Sequence, residues 1–451
     1  IHLNGTGSYF NVGRDGGNGA VYIRNGSTLL IETSTDTQYD EAGVNVGRGA
    51  GGSGSLSLIG STATVSSGSA SGAFVNVGRG AADATGAMSM DGSQMTLTGG
   101  ALGAHVMIGR FGAGTMRLLR GSTLTLQSSA SSGNGTSVTV GRSDAGAGSG
   151  TLTVDASTLD ILQSASWAGL YVGMNVGSTG ATGAATFTRN AAVHVTGVTG
   201  AYVSVGLLGG GSAAGVTGGT GTLRVDTGST LSVTSTGVGA GANFNAGYGA
   251  GADGTVIVDS AAIAIAGANA IYINGSSTGA IGTTTLQNAA SLSIYATNGV
   301  ATNLSQLNVN RGSFTMTGGS TLSMRASGAT IGGGGVNVQQ TGGGAATLSS
   351  AASAISGVNN LSVGYAGAGA MTVTGGSVGL VSNVSNNSYT AANVSIGGHG
   401  GAGALTPPGG WRRGLARGGR KSSWSSRRAP PACSRAPRRA RRCAFPMARR
   451  R

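Results

Sequence analysis

The segment "VNVGRGAGGSGSLSLIGSTATV" (Val44–Val65) decides how the chain folds. It opens as apolar, any, apolar, Gly, Arg, passes through a glycine-rich loop, and ends in two alternating runs, "SLSL" and "TATV". Neighbouring side chains on a strand point to opposite faces. Val44 and Val46, Leu56 and Leu58, and Ala63 and Val65 therefore share an apolar side, while Asn45, Ser57 and Thr64 face away. Three such short strands cannot bury their apolar side alone; they need copies of themselves above and below.

The copies are present. The opening signature recurs thirteen times, at Phe10, Val44, Val75, Val106, Val138, Leu170 and Val203, then more weakly at Phe244, Ile271, Leu307, Val336, Leu361 and Val394. Gly13 to Gly397 spans 384 residues in 12 steps, a mean of 32. A repeat of that length, built of strands without helical periodicity, predicts an all-β solenoid. The expected form is a single-stranded parallel β-helix of about 13 rungs, right-handed by the usual crossover chirality. At about 4.8 Å per rung it would be a rod roughly 60 Å long. Corner glycines supply positive φ, and the body's freedom from proline leaves its backbone N–H groups available for the ladder.

Composition divides the chain in two. Of the 27 Lys and Arg, 15 lie between Trp411 and Arg451, where there is no acid; the body is left with 12 basic and 13 acidic residues. The formal charge of +14 is thus a property of the tail, and the body offers no general reason to bind nucleic acid. All six prolines (the first is Pro407), both cysteines and the one lysine also lie in the tail. Residues 1–405 form the repeat domain and 406–451 a basic tail expected to be disordered. Near Thr406 the period is lost where "V-x-G-G-S" is due. A message this rich in Gly and Ala is GC-rich, and read in a shifted frame it yields Arg, Pro, Ala, Gly and Ser. A frameshifted or otherwise non-native tail is the expectation, and a truncated pseudogene product without present function follows as one alternative. The other reading of the tail, a basic arm for nucleic acid or anionic lipid, lacks the interleaved aromatics that stack bases. No signal segment opens the chain, and no apolar run reaches the roughly 18 residues of a membrane span.

The run "VGR", a Gly-rich loop, "GTLTV" and "GSTLTV" at this spacing resembles the type V secretion and PEP-CTERM-associated repeat of bacterial autotransporter passengers, over roughly residues 8 to 405. The resemblance implies a secreted or outer-membrane-associated surface passenger, exported through a C-terminal β-barrel translocator and serving adhesion or surface coating, with glycans or host and matrix surfaces as partners. This chain departs from that plan in having no barrel.

Two columns stand out. The residue after the signature glycine is Arg14, Arg48, Arg79, Arg110 and Arg142 in five consecutive units, then Met174, Leu207 and Tyr248. At about 5 Å, unit charges in water repel by roughly 0.8 kcal/mol, which Asp15, Asp83 and Asp144 could offset. Guanidinium planes stacking and bonding loop carbonyls would make this a structural ladder; a track for phosphate or acidic glycan would make it a functional one. The outward residue of the first strand runs Asn11, Asn45, Asn76, Met107, Thr139, Tyr171, Ser204, Asn245, Tyr272, Asn308 and Asn337. Amide ladders between rungs explain Asn11, Asn45, Asn76, Asn308 and Asn337 structurally; a carbohydrate- or receptor-contacting face is the other reading.

Catalytic signals are weak. Asp155, Asp226 and Asp259 follow the second strand, and Asp226 and Asp259 could be neighbours, as a carboxylate pair acting on glycans requires. Each also suits a turn in which Asp caps its own backbone. "GGSGSLSLI" (Gly51–Ile59) imitates a calcium nonapeptide but puts Leu56 at the ligand position. His2, His105, His194 and His399 show no metal-ligand spacing. "GSSTG" (Gly275–Gly279) copies a nucleophile elbow in a loop context. The longest departure from the period, the 41 residues between Gly206 and Gly247, contributes "GGGSAAGVTGG" without a carboxylate. No catalytic, metal or cofactor residue is therefore nominated, and no cofactor is expected. A non-catalytic structural or adhesive rod is the first expectation, and a carbohydrate-active β-helix enzyme the alternative.

Overall fold

The computed structural model describes residues 1–406 apart from 34–40, 130–134, 145, 178–179, 210–217, 277–278, 298–304, 328–329, 332–333, 340–344, 382, 386–387, 391–392 and 398–401. The expectations for the tail beyond Thr406, for His399, for most of the long insertion and for the middle of "GSSTG" lie outside the described residues.

Each coil contributes three strands, and each strand pairs in parallel with its equivalents in the coils before and after. In the second coil these are Ala42–Arg48, Ser53–Ile59 and Thr62–Ser66. The second strands form one 13-stranded sheet. The first and third strands form two further columns, joined into a 25-stranded sheet by one long strand, Ala354–Val363. Register is strict: Val44 sits over Val75, Leu56 over Met88 and Ala63 over Met95. The all-β parallel solenoid read from the alternation is what forms.

Its core follows the same alternation. Val44, Val46, Leu56, Leu58 and Val65 are fully buried, and Ala63 is 2% exposed. Burying each larger aliphatic side chain contributes about 1.5–3 kcal/mol, but only with coils stacked on both sides. Leu56, at the would-be calcium-ligand position, is one of these core residues. At Gly47 φ is +67°, and a Cβ would lie 1.7 Å from the Thr85 carbonyl oxygen of the next coil. Both the left-handed backbone and the close approach demand glycine there.

The ninth coil corrects the expected outward column. Its signature, Ile271–Tyr272–Ile273, lies on the strand Asn269–Asn274, which is out of phase by one residue. Tyr272 pairs with Phe244 and Ile273 with Asn245, so Tyr272 points into the core and Ile273 takes the outward place. Packing gives the reason. The Tyr272 ring stacks on Phe244 at 4.8 Å and 8°, and meets Phe314 edge-on at 5.8 Å. Its hydroxyl is satisfied inside the core by Thr284 Oγ1 at 2.7 Å, and Thr284 in turn donates to Asn274 Oδ1 at 2.8 Å. The inward position of an aromatic ring with a bonded hydroxyl outweighs two isoleucines that remain partly covered on the outer face.

Two further departures occur toward the C-terminal end. Ala354–Val363 runs through the corner where third strand should give way to first, with Gly357 at φ +70° marking the bend. Thr330–Ile331, Asn383–Ser385 and Ser388–Thr390 form a small antiparallel sheet beside the stack. Among the described residues no helix is long and apolar enough to cross a membrane.

Candidate functional site on the outer face of the first strands

The first-strand column concentrates the side chains singled out from the sequence. Its register places Arg14, Arg48, Arg79, Arg110 and Arg142 directly over one another, followed by Met174, Leu207 and Tyr248. The arginine ladder is therefore a real alignment, and it turns apolar after its fifth member.

The five guanidinium groups are not equivalent. Arg14 pairs with Asp15 at 2.9 Å in the open. Arg110 and Arg142 share the carboxylate of Asp144, each at 2.7 Å. Arg48 and Arg79 have no ion pair among the described residues, and Asp83, expected to offset them, is exposed and makes none. Burial, then the flanking Arg110 and Arg48 charges, lowers Arg79 to about 10 against the opposing pull of the nearby Glu41 carboxylate, so it remains charged at neutral pH. Among the described residues none of the five bonds a loop carbonyl, so the carbonyl contacts expected of a structural ladder are not what holds these side chains.

Beside the arginines runs the amide column. Asn45 donates to Asn11 Oδ1 and Asn76 to Asn45 Oδ1, both at 2.9 Å; Asn337 donates to Asn308 Oδ1 at 2.8 Å. Although these residues point outward, Asn45, Asn76, Asn308 and Asn337 are at most 7% exposed. Asn11 and Asn76 each have an arginine three positions on, Arg14 and Arg79, and an aromatic residue two positions before, Tyr9 and Phe74. The ladder ends wherever the next coil offers no donor. Asn76 precedes Met107 and Asn245 precedes Ile273, and the Oδ1 atoms of both asparagines are buried without a partner.

The aromatic surface beside these columns was not read from the sequence. Tyr9, Phe74, His105, Trp167, Tyr171 and Tyr202 lie across the outer face, with Tyr248 at its far end. Glycines make room for them: a Cβ at Gly169 would come within 2.6 Å of the Tyr171 ring, and one at Gly200 within 2.4 Å of the Tyr202 hydroxyl. These rings lie down along the sheet instead of standing off it. The signal in the sequence was Gly-x-aromatic, as in "GLY" (Gly169–Tyr171) and "GAY" (Gly200–Tyr202).

His105 stacks on Phe74 at 5.4 Å. Its Nε2 faces the Leu102 carbonyl and its Nδ1 the Ser137 hydroxyl, both at 2.8 Å. A carbonyl only accepts, so Nε2 carries the hydrogen and Nδ1 accepts from Ser137. Burial, with the Arg142 and Arg110 charges adding to it against the Leu102 hydrogen bond, lowers His105 to about 4, and the ring is neutral. Two clefts open on this face. One, of about 480 Å³, lies between Phe74–His105 and Trp167–Tyr171, with Arg110 and Arg142 at its edge. The other, of about 470 Å³, lies beyond the arginines and is lined by Trp167, Tyr202, Asn245, Tyr248 and Ile273 among others, with no charged side chain.

The acidic residues of the second strand occupy the opposite part of the coil. Asp226 and Asp259 are in register, as the sequence suggested. Arg224 lies between them, paired with Asp226 and 3.5 Å from Asp259. Asp155 is held by Arg189, whose hydrogen bond keeps the carboxyl below its ordinary range. Hydrogen bonds from Asn288 and Gln287 do the same for Asp259. The turns are closed by the Asp backbone carbonyls, which accept from Ser157 Oγ at 2.8 Å and from the Ser229 N–H at 3.1 Å. Backbone capping by the carboxylates, expected from the sequence, is replaced by arginine and amide partners.

His2 pairs with Glu32 at 3.0 Å and His194 with Asp160 at 2.7 Å. Among the described residues no group of three or more His, Cys, Asp and Glu could hold a metal ion. No family model, curated protein or solved structure matches the chain.

Proposed function

We propose that this protein is a non-catalytic surface rod of the autotransporter-passenger type, secreted or displayed at the cell surface, which contacts glycans along the outer face of its first strands. The observation that carries this reading is the pair Arg48 and Arg79: two aligned, half-buried cations with no carboxylate in ion-pair contact among the described residues, the nearby Glu41 being bonded by the Tyr9 hydroxyl instead, on a body otherwise close to neutral. Holding like charges one coil apart costs free energy unless an anion meets them. Two forked guanidinium groups repeated at the coil spacing suit carboxylates or sulfates repeated along an extended acidic polysaccharide. The acids support the non-catalytic part. A glycosidase needs one carboxyl held protonated at neutral pH, whereas Asp155 and Asp259 are held in the opposite direction.

The test is binding of the full chain to immobilised polygalacturonate. The tail's 15 basic residues are common to wild type and variants, so their contribution cancels in the comparison. Arg48→Ala/Arg79→Ala is expected to weaken binding by about tenfold at low salt, with the difference shrinking as ionic strength rises. Equal affinity of the two proteins would remove the ladder from the proposal.

A further inference from the structure

We propose that the uncharged cleft beyond the arginine ladder, between Trp167, Tyr202, Asn245, Tyr248 and Ile273, binds a neutral pyranose. This rests on the reading of the rod as a glycan-contacting surface, and adds a second site of different chemistry to it.

Three observations converge. First, the cleft's volume of about 470 Å³ suits a small ring or two. Its walls are aromatic: Trp167 and Tyr171 meet edge-on at 6.3 Å, and Tyr248 stands 42% exposed at the rim. Aromatic faces are apolar surfaces on which the C–H face of a sugar can lie, with the hydroxyls left at the edges.

Second, the polar atoms in the cleft are incomplete. Asn245 is 6% exposed; its Nδ2 donates to Ser204 Oγ at 3.2 Å, and its Oδ1 has no donor. The Oδ1 of neighbouring Asn243 is likewise buried without a donor. A buried acceptor left unmet costs about 1–3 kcal/mol, which a ligand that donates would recover. In the first two coils the next asparagine supplies that donor, Asn45 to Asn11 and Asn76 to Asn45; here Ile273 stands in its place. Asn243 and Asn245 both line the cleft, and a sugar hydroxyl that displaces the side chains covering them can donate to either carbonyl.

Third, the charge is wrong for an acid. The column that is arginine in the first five coils is Met174, Leu207 and Tyr248 here. A carboxylate entering this cleft would face two carbonyl oxygens and no cation, which is repulsive. A neutral ring meets aromatic faces and acceptors only.

Trp167 is the only tryptophan before Trp411, so its emission reports on the cleft once Trp411→Phe and Trp424→Phe are made in the full chain. That protein is titrated separately with cellotetraose, β-1,4-mannotetraose, maltotetraose and tetragalacturonate. The expected result is a saturable change with at least one neutral tetrasaccharide, weakened about tenfold by Tyr248→Ala and by Asn245→Val, and unchanged by Arg48→Ala/Arg79→Ala. Tyr248 is exposed enough for its truncation to leave the fold intact, and thermal melting checks the Asn245 variant. Neutral binding that survives both cleft substitutions would overturn the assignment of the site. No response to any neutral probe, with tetragalacturonate bound in an Arg48- and Arg79-dependent way, would overturn this inference and leave the glycan-contacting rod standing. Silence of neutral and acidic probes alike would overturn both.

Discussion

The second and ninth coils begin with the same signature, an arbitrary residue between two aliphatic ones, and resolve it in opposite ways. In Val44–Asn45–Val46 the flanks are buried and the centre faces out into an amide ladder. In Ile271–Tyr272–Ile273 the centre is buried and the flanks face out. Period-two alternation fixes that neighbours point apart; it does not fix which set points in. Phase is settled by what lies above and below. Asn45 has Asn11 and Asn76 to bond, whereas Tyr272 has Phe244 and Phe314 to stack on and Thr284 to satisfy its hydroxyl. The consequence reaches the surface, because the shift brings Ile273 against Asn245 and leaves that carbonyl without a donor.

Breaking the ninth coil's choice should give the largest effect. Tyr272 is fully buried, so Tyr272→Ala removes a ring from the middle of a three-aromatic stack and is expected to cost about 3–5 kcal/mol. Tyr272→Phe keeps the ring and loses one bond to Thr284, which retains its bond to Asn274; about 1 kcal/mol is expected. Urea unfolding of the pair measures both. A small loss for Tyr272→Ala would mean that the ring is not inside, and the phase described for this coil would fall.

Much of the fold was legible because a single rule, alternation with a 32-residue repeat, is applied again and again. The five arginines were legible for the same reason, since each follows the glycine that the left-handed corner requires. Tyr272 was not, because "IYIN" places an apolar-compatible residue in either phase. Nor were Trp167, Tyr171 and Tyr202 recognised as one surface. They sit at different offsets from the signature, and their shared mark is a glycine two positions earlier for the tyrosines, which makes sense only once the ring is seen lying over it. The orphaned carbonyls of Asn76 and Asn245 depend on the identity of the next coil's residue in exact register, which a mean period cannot supply.

Acid should separate the two regions further. His105, in the regular coils, has an ordinary pKa near 6.5 when unfolded and about 4 when folded. Between those values the unfolded chain binds a proton that the folded chain does not, so stability falls as pH drops from about 6.5 to about 4 and is unaffected by this group above that window. The loss is on the order of 2–3 kcal/mol. Melting curves at pH 7 and pH 4.5 should show a larger drop in wild type than in His105→Gln, whose side chain does not titrate. Parallel drops in the two proteins would mean that the imidazole gains its proton freely in the folded state.

The smallest expected change is the most specific. Ile273→Asn would give the ninth coil the outward residue that its neighbours carry, since Ile273 stands between Asn245 and Asn308 in register. The new amide can donate to the orphaned Asn245 Oδ1 and accept from Asn308 Nδ2, which now reaches only Gln306 Oε1 at 3.2 Å. Two added neutral hydrogen bonds contribute about 0.5–1.5 kcal/mol each, against the loss of a half-buried aliphatic side chain worth about 1–2 kcal/mol. The net should stay within about 1 kcal/mol of wild type in urea unfolding. Binding should not be neutral, because the acceptor offered to a sugar hydroxyl would now be occupied. Unchanged stability together with weakened neutral tetrasaccharide binding is the expected result. Full retention of binding would show that Asn245 is not the group a ligand completes, and a loss well above 1 kcal/mol would show that Ile273 is not all that separates Asn245 from the Asn308–Asn337 ladder.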